Sequence, residues 1–277
     1  MRVITTTDFQ QTLQYPKVRD MLAGFTKWNA VALPLMGTMS APYISIQHAL
    51  ADAMRGRAGK TVLDYGCGTG SITAMLIKDN HSDIRRVIAV DSDSATLQEV
   101  EPTLNKIGFH GQLELINSSS MVPLPLNAEE VDTMVSGLGA IIYSGFHLNS
   151  VGPLEGRAAL AECLKDCNRV LKPGGYLGFS SLVPNPNFRE IKRQSILSLL
   201  KGLRFKSLIV AIRNASKIEK ASQFMKEFAT AGWAHYLAEQ QWQEVLQGCG
   251  FTVVEFRRGS YAGQGLVVIA QKTSSFQ

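Results

Sequence analysis

The chain has 277 residues, of which 45% are hydrophobic and 18% charged, a composition typical of a globular protein with a sizeable core. No run of about 18 apolar residues is free of charge, and no signal pattern opens the chain, so we expect neither a membrane span nor secretion. The four cysteines form no CxxC pair and indicate no disulfide framework, which favours a reducing, cytoplasmic location.

The net charge of +5 is concentrated in one segment of the chain. Residues 186–228 contain ten Lys or Arg and three acids, so this segment carries +7 and the remainder −2. Clustering of this kind indicates either a solvated outer face or a surface that attracts an anionic acceptor, a carrier protein or anionic lipid. The basic character of the chain is therefore local.

The N-terminal region, residues 8–58, is predicted to be helical and irregular, with several proline breaks. Apolar residues recur at helical spacing within residues 43–55. Three aromatic residues of this region, Tyr15, Trp28 and Tyr43, are candidates either for lining a pocket or for packing a helix onto a sheet.

The chain is organised around the segment TVLDYGCGTG at residues 61–70. An apolar, β-branched run that ends in an acid predicts a buried strand, and three glycines follow at every second position. Because glycine has no Cβ, such a loop turns sharply and lets a ligand lie directly on the backbone. A helix is predicted to begin at about Ser71, with the N–H groups of its first turn facing that ligand. The candidate ligand-binding residues are Asp64, Gly66, Cys67, Gly68 and Gly70.

The GxGxG spacing separates this loop from two other nucleotide-binding loops. A dinucleotide fingerprint reads GxGxxG and a P-loop reads GxxxxGK[ST], and neither matches. The segment instead resembles motif I of the class I S-adenosylmethionine-dependent methyltransferases, in which Leu-Asp-x-Gly-Cys-Gly-Thr-Gly is a common form. The resemblance implies S-adenosylmethionine as the cofactor and S-adenosylhomocysteine as the product.

The second buried parallel strand is predicted over residues 86–91, and it also ends in an acid. In nucleotide-binding α/β folds, an acid about 20 residues after the glycine loop accepts hydrogen bonds from ribose hydroxyls. We therefore predict that Asp91 binds the ribose of the cofactor, with Ser92 beside it. Asp93 is predicted to cap the following helix.

The third strand is predicted over residues 112–117. Many members of the family that this chain resembles carry an acid just past this strand, where it binds the amino group of adenine. Here Asn117 or Ser118 occupies that place, and either side chain is able to accept a hydrogen bond.

The fourth strand is predicted over residues 131–136. Ligands of open α/β sheets sit at the carboxyl ends of the strands, so Ser136 and Gly137 are predicted to face the sulfonium and the acceptor. The Asn/Asp-Pro-Pro-Tyr tetrad is absent from the sequence. Its absence argues against methylation of the amino groups of adenine, cytosine or glutamine.

Methyl transfer from a sulfonium is an in-line displacement in which positioning alone supplies roughly 7–11 kcal/mol. A general base adds about two to four orders of magnitude where the nucleophile carries a proton, so the chemistry does not demand a conspicuous one. The candidates for a base are Tyr143 and His235, with His48 and His147 as alternatives. No HxxxD pattern and no cluster of paired acids in the sequence makes a convincing metal site, and we predict that no metal is needed.

The C-terminal half continues the same resemblance. The RVLKPGG turn at residues 169–175 resembles the family's turn before its fifth strand, and a helix followed by a hairpin closes the chain over residues 241–271. The resemblance covers residues 60–182 and 239–271 in the expected order. Between them lies an insertion over residues 184–238, in which residues 191–212 are predicted to form one or two amphipathic helices broken near Gly202.

Together these features predict an α/β fold, a Rossmann-like doubly wound sheet of seven strands with an antiparallel last strand. The methyltransferase core is predicted over residues 59–183 and 239–277. Residues 1–58 are predicted to form a helical lid, and residues 184–238 a helical cap insertion.

The predicted function is methyl transfer to the oxygen, nitrogen or carbon of a small, largely apolar metabolite, as in the quinone-biosynthesis and natural-product branch of the family. The acceptor is either free or carrier-bound, and the basic insertion leaves an anionic one open; nucleic acid is not expected as a partner. Three alternatives stay open: a cyclase or isomerase that retains the cofactor, an RNA methyltransferase, and a non-catalytic partner subunit. The oligomeric state is also open.

Overall fold

The structure is a computed structural model that describes residues 3–5, 7–24, 40–80, 84–202 and 205–273. Trp28, one of the predicted pocket residues, lies outside these ranges. No helix in the described ranges is long and apolar enough to cross a membrane.

Strands and helices alternate through the first half of the described chain. The strands are β1 Val3–Thr5, β2 Thr61–Tyr65, β3 Arg86–Asp91, β4 Gln112–Asn117, β5 Val131–Gly137, β6 Phe146–Asn149, β7 Gly152–Glu155, β8 Leu171–Leu182, β9 Phe251–Arg258 and β10 Gly265–Lys272. The helices are α1 Thr7–Thr12, α2 over residues 16–24, α3 Ala41–Ala53, α4 Ser71–Asn80, α5 Ser94–Leu97, α6 Val100–Asn105, α7 Gly156–Val170, α8 Phe188–Lys201, α9 Phe205–Arg213, α10 Ala215–Thr230 and α11 Glu239–Gly248.

The main sheet has the order β1-β4-β3-β2-β5-β8-β10-β9. The predicted seven strands are present, and β10 runs antiparallel to both of its neighbours, β8 and β9. An eighth strand, β1, pairs in parallel with β4 and places Val3 opposite Leu115. This segment is part of the predicted helical lid at residues 1–58, because three residues are too few to show the period-two pattern of a strand.

The sheet is covered on both faces, as a doubly wound fold requires. Successive residues of a strand point to opposite faces, so Val62 packs into one core and Leu63 into the other. One core includes Trp242 of α11 and Leu164 of α7, and the other includes Leu50 of α3. Burial on both faces explains why the central strands are continuous apolar runs in the sequence.

The segment between β8 and α11 contains three described helices, α8, α9 and α10. The first two cover the stretch 191–212, for which one or two helices are predicted, and α10 was not predicted. The predicted break at Gly202 is correct, because Gly202 is the residue that ends α8. The second break follows α9, where the Asn214 side-chain amide donates a hydrogen bond to the Val210 carbonyl at 2.8 Å. That bond satisfies a carbonyl at the end of α9.

A short hairpin of β6 and β7 lies apart from the main sheet and was not predicted. Phe146 of β6 stacks on Trp233 with ring centroids 5.9 Å apart, and Trp233 lies 6.1 Å from Phe228 of α10. Val18 and Met21 of α2 belong to the same apolar cluster. This cluster joins the N-terminal helices to the segment after β8.

Candidate functional site

The glycine loop follows β2 at the carboxyl edge of the sheet. Gly66 has a φ of +75°, and a Cβ there would lie 2.4 Å from the Ala140 backbone nitrogen, so only glycine permits this close approach. Gly68 has a φ of +52°, but a Cβ there would have no heavy atom within 4 Å. The Gly68 backbone is therefore open toward whatever lies above the loop.

Asp91, at the end of β3, holds this loop in place. One carboxylate oxygen accepts the Gly68 N–H at 2.8 Å, and the other accepts the Asp93 N–H at 2.9 Å. Burial raises the pKa of Asp91, and these two hydrogen bonds oppose that rise. An ionised carboxylate has about four acceptor positions, so Asp91 retains capacity for two further donors such as vicinal hydroxyls.

Two further groups of the motif are buried near Asp91. Asp64 is only 1% exposed, and one of its oxygens accepts a hydrogen bond from the Thr73 hydroxyl at 2.7 Å. Burial raises the pKa of Asp64 to about 7, although the bond from Thr73 lowers it. Burial and the nearby charges of Asp91 and Asp64 hold the pKa of the Cys67 thiol well above its usual range, so this thiol is not a nucleophile at neutral pH.

The two predicted residues past the third strand have different positions. The Asn117 side-chain amide donates hydrogen bonds to the carbonyls of Asp91 and Ser92, at 2.9 and 3.0 Å, and so ties β4 to the end of β3. Ser118 lines the cavity above the sheet, as does Ser92, whereas Asn117 does not.

At the end of the fourth strand, too, one predicted residue joins neighbouring strands and the other lines the cavity. The buried Ser136 hydroxyl donates a hydrogen bond to the Tyr65 carbonyl at 2.7 Å, which joins β5 to β2. Gly137 lines the cavity, and a Cβ there would lie 2.7 Å from the Ile72 side chain. Gly70, the last glycine of the motif, has a φ of +78° and lies below the cavity lining, against Val100.

A cavity of about 720 Å³ lies over these strand ends, and we call it the main cavity. Its floor is formed by the glycine loop and the ends of β3, β4 and β5. The charged residues that line it are Asp64, Asp91, Asp93 and Glu99. Among the described residues no Lys, Arg or His lines it. The aromatic residues above the sheet are Tyr43, Tyr143, Phe188, Phe228, Tyr236 and Tyr261.

The tyrosines of the main cavity remain protonated at neutral pH. Burial raises the pKa values of Tyr43 and Tyr236 to about 12, and those of Tyr143 and Tyr261 well above the usual range. The Tyr236 hydroxyl is buried without a hydrogen-bond partner of good geometry in the described chain, although the Tyr143 phenol is close enough to oppose the rise in its pKa. These phenols are hydrogen-bonding groups, and Tyr143 is a poor general base.

His235 and Tyr15 do not line the main cavity. His235 is 4% exposed, its backbone N–H donates to the Ile142 carbonyl at 2.8 Å, and it is one of the residues around a separate pocket. Its Nε2 is buried. The Tyr15 ring packs against Phe146 at a centroid distance of 5.5 Å. His147 is buried, and its Nδ1 bonds to the Ser120 carbonyl at 2.8 Å.

Several residues of the main cavity were not predicted from the sequence. Tyr261 lies in the turn between β9 and β10 with a φ of +52°, and its backbone N–H donates to the Ser45 hydroxyl at 3.0 Å. Met225 and Phe228 come from α10. None belongs to a motif, and only the helical spacing of Met225 and Phe228 was a signal. In the ranges that the structure describes, no cluster of three or more His, Cys, Asp or Glu could hold a metal ion.

Comparison with known proteins gives a family match and several partial relatives. Residues 57–248 match the model of the family described as methyltransferase domain. A ribosomal protein L11 methyltransferase of Edwardsiella ictaluri is 31% identical over 126 residues, which cover 46% of this chain and 35% of that protein. A ubiquinone/menaquinone biosynthesis C-methyltransferase of Enterobacter is 31% identical over 122 residues, which cover 44% of this chain and 42% of that protein. The alignments thus span less than half of these curated relatives.

A solved structure is similar over nearly the whole chain. It is the Burkholderia thailandensis 1,6-didemethyltoxoflavin-N1-methyltransferase with bound 1,6-didemethyltoxoflavin and S-adenosylhomocysteine. The TM-score is 0.58 at 18% identity, with 93% of this chain and 90% of that chain covered. At this identity the likeness concerns the fold alone.

Proposed function

The chain belongs to the methyltransferase domain family, and on that premise we propose that it transfers a methyl group from S-adenosylmethionine to a small, largely apolar acceptor whose reacting atom is uncharged. One observation carries this proposal. A single cavity extends from the glycine loop and Asp91 to a wall of tyrosines and phenylalanines. One end of this cavity is therefore suited to a nucleotide, and the other end is apolar.

The nucleotide end has the groups that S-adenosylmethionine requires. Asp91 has acceptor positions left for the two ribose hydroxyls, and the open backbone of Gly68 gives room above the loop. Ser118, which is fully buried, lies at the carboxyl end of β4 beside this part of the cavity. The described lining residues include four acids and no cation, and the acids that are ionised produce a negative field, which favours a cofactor that bears a sulfonium and an ammonium group.

The apolar end indicates what the acceptor is. The segment 186–228 contributes Phe188, Met225 and Phe228 to the lining, although ten of its residues are basic. An anionic reacting group would find no cationic partner among the described lining residues and would meet four acids instead. An uncharged acceptor avoids that repulsion and packs against the rings. Because these three residues line the main cavity, they support a cap at residues 184–238. Met21, Leu22 and Tyr43 also line it, which supports an N-terminal lid.

S-adenosylmethionine supplies an activated methyl group and a neutral thioether leaving group. The residues of this chain orient the acceptor and exclude water, which is sufficient for a substantial rate increase. Tyr143 and Tyr236 keep their protons at neutral pH, so they hold the acceptor by hydrogen bonds and do not remove a proton from it.

The proposal is tested by calorimetric titration with S-adenosylmethionine, S-adenosylhomocysteine and NAD. We expect micromolar binding of the first two and none of NAD. Replacing Asp91 by Asn should weaken S-adenosylmethionine by about 5- to 150-fold, since a hydrogen bond to a charged group contributes roughly 1–3 kcal/mol. The exposed Asp20→Asn variant is the matched control. Preference for NAD, or unchanged affinity in Asp91→Asn, would contradict the proposed cofactor site.

The reaction itself is tested by product mass. Incubation with candidate aromatic acceptors and S-adenosylmethionine should give a product heavier by one CH₂ unit, together with one equivalent of S-adenosylhomocysteine. A product of unchanged mass would instead support a cyclase or isomerase that retains the cofactor.

A further inference from the structure

The end of α8 and the helix α9 expose apolar side chains to solvent. These two helices contact each other, and residues 202–204 alone separate them along the chain. Single exposed aliphatic residues are ordinary on a protein surface, but five on two adjoining helices need an explanation. We call the five the apolar corner, and they are 37–65% exposed: Ile196, Leu200, Ile209, Val210 and Ile212.

The exposed face of α9 is not an ordinary solvated face. Five described residues of α9 are exposed, and at about 100° per residue they share an arc of about 160°. In order around that arc they are Ile212, Ile209, Arg213, Lys206 and Val210. The neighbouring helix α10 shows what solvent normally selects, because its exposed residues include Ser216, Glu219, Gln223, Glu227 and Thr230. The face of α9 instead combines branched aliphatic side chains with cations.

The cations beside the apolar corner have no acid to pair with. Lys201, Lys206 and Arg213 are exposed, and in the described chain no carboxylate lies within 4.0 Å of their charged groups. The acids of residues 186–228 already have partners within that segment: Arg193 for Glu190, Lys192 for Glu219 and Gln223 for Glu227. The positive charge around the apolar corner is therefore uncompensated.

We propose that the apolar corner docks onto the surface of an anionic lipid bilayer. The aliphatic side chains enter the boundary between headgroups and acyl chains, and the charged ends of Lys201, Lys206 and Arg213 bind the lipid phosphates. Long basic side chains suit this position, because their stems lie along apolar neighbours while their charges stay in the headgroup layer.

A bilayer explains both features of the corner, whereas other occupants explain one. A two-fold contact with a second copy would bury the aliphatic residues but would bring the same cations together without a free acid between them. A nucleic acid would neutralise the cations, but it binds through phosphates and stacked bases, for which aliphatic side chains are unsuited. An anionic bilayer provides hydrocarbon and negative charge over the same area.

The first test is co-sedimentation of the full chain with vesicles. Vesicles of equimolar phosphatidylcholine and phosphatidylglycerol are compared with vesicles of phosphatidylcholine alone. We expect at least about tenfold tighter binding to the anionic vesicles, and weaker binding to them at about 1 M salt. Absence of binding to the anionic vesicles would overturn the proposal and leave an acidic protein partner as the occupant. Equal binding to both compositions would overturn the role of the cations.

A double variant tests the aliphatic side chains. Ile209→Gln/Ile212→Gln keeps good helix formers in α9 and should weaken binding to the anionic vesicles at least about tenfold, because apolar insertion is lost. Val151→Gln/Val254→Gln is the matched control, since these valines are 93% and 45% exposed and lie outside the corner. The control should bind as the wild type does. Equal losses in the two double variants would overturn the assignment of the corner.

A triple variant tests the cations in the same way. Lys201→Gln/Lys206→Gln/Arg213→Gln should weaken binding to the anionic vesicles about 100-fold, since each cation near such a surface contributes about fivefold. Lys60→Gln/Lys78→Gln/Lys106→Gln is the control, because it removes the same charge from exposed positions elsewhere. Equal weakening by the two triple variants would show that net charge alone attracts the protein, and would overturn a specific docking face.

Sedimentation velocity without lipid tests the second copy as occupant. Wild type and Ile209→Gln/Ile212→Gln should sediment alike; a larger species formed by the wild type alone would assign the corner to self-association and overturn the proposal. Titration of S-adenosylmethionine on the same samples separates docking from methyl transfer. The corner residues do not line the main cavity, so cofactor affinity should be unchanged in every variant.

Discussion

The two cavities of this chain share Phe188 and Tyr236 but differ in charge. In the described residues, the main cavity is lined by four carboxylates and no cation. The second pocket, of about 590 Å³, is called the basic pocket; it is lined by Arg157, Lys226 and His235 and by no acid of the described chain. Arg157 and Lys226 are both exposed. The two linings therefore differ in the sign of their charged residues.

The difference shows that the charge of a segment does not describe the site beneath it. Residues 186–228 carry +7, but they give the main cavity only apolar side chains. Their one basic contribution to either cavity is Lys226, in the basic pocket. An amphipathic helix places its charged residues in solvent and its apolar residues inside, so its net charge reports on the solvent side.

The largest effect on the main cavity is expected from Gly68→Asp. The new side chain would enter open space above the loop, block the cofactor and add a fifth carboxylate, so S-adenosylmethionine affinity should fall by at least about a thousandfold. Gly56→Asp is the control, since Gly56 has a similar φ of +72° and open surroundings but lies outside the cavity. Both variants should lose about 1–2 kcal/mol of stability to backbone strain, and calorimetric titration separates them. Equal affinity in the two variants would place the cofactor elsewhere.

A smaller effect is expected from Asp64→Asn, and it concerns stability. The folded-state pKa of Asp64 is raised to about 7, so ionising this group opposes folding, and the cost grows as pH rises from about 4 to 7. An Asn side chain accepts the same hydrogen bond from Thr73 without the charge. The variant should therefore gain at most about 4 kcal/mol at pH 8, and less at pH 5.

Urea denaturation at the two pH values measures this gain. The exposed Asp20→Asn variant should show no pH-dependent difference from wild type. Wild-type stability at or above that of Asp64→Asn at pH 8 would show that the buried carboxylate is not destabilising.

The cofactor end of the main cavity was predictable from the sequence because its signals are local. Strand bounds at β3 and β4 agree with the predicted residues 86–91 and 112–117, since buried parallel strands are short apolar runs. The glycine spacing and the acid that ends β3 lie within one βαβ unit. Asn117 and Ser136 were also at the predicted strand ends, but their side chains join neighbouring strands.

The acceptor end was not predictable to the same degree because its walls come from distant parts of the chain. Tyr43, Tyr143, Tyr236 and Tyr261 lie in four separate segments, and no spacing within one segment reveals their meeting. His235 was a candidate for the main cavity, but it is a lining residue of the basic pocket alone, whereas Tyr236, the next residue, lines both. The side chains of adjacent residues in an extended segment point to opposite sides. A difference of one position in the chain therefore changes which cavity a side chain lines.

The third prediction uses His235 to test the electrostatics of the basic pocket. Its folded-state pKa is lowered to about 4, so its contribution to stability is complete above pH 6.5 and is lost as pH falls toward 4. Relative to His235→Gln, the wild type should lose about 1.4 kcal/mol between pH 7.5 and 5.5. Urea denaturation at the two pH values measures this loss, and a flat wild-type profile would contradict the neutral, buried histidine.

The smallest effect is expected when exposed charge is removed from the cap without touching either cavity. Arg189, Arg213 and Lys220 are exposed and line neither space, so their triple replacement by Gln lowers the charge of residues 186–228 without changing the lining. Solvent screens such charges, and the affinity for S-adenosylmethionine should stay within about twofold of wild type at physiological salt. Calorimetry at two salt concentrations measures this. A tenfold change that disappears at high salt would mean that the charge on the outer face of the cap acts on the cofactor, and recognition would then depend on surface charge that lines neither cavity.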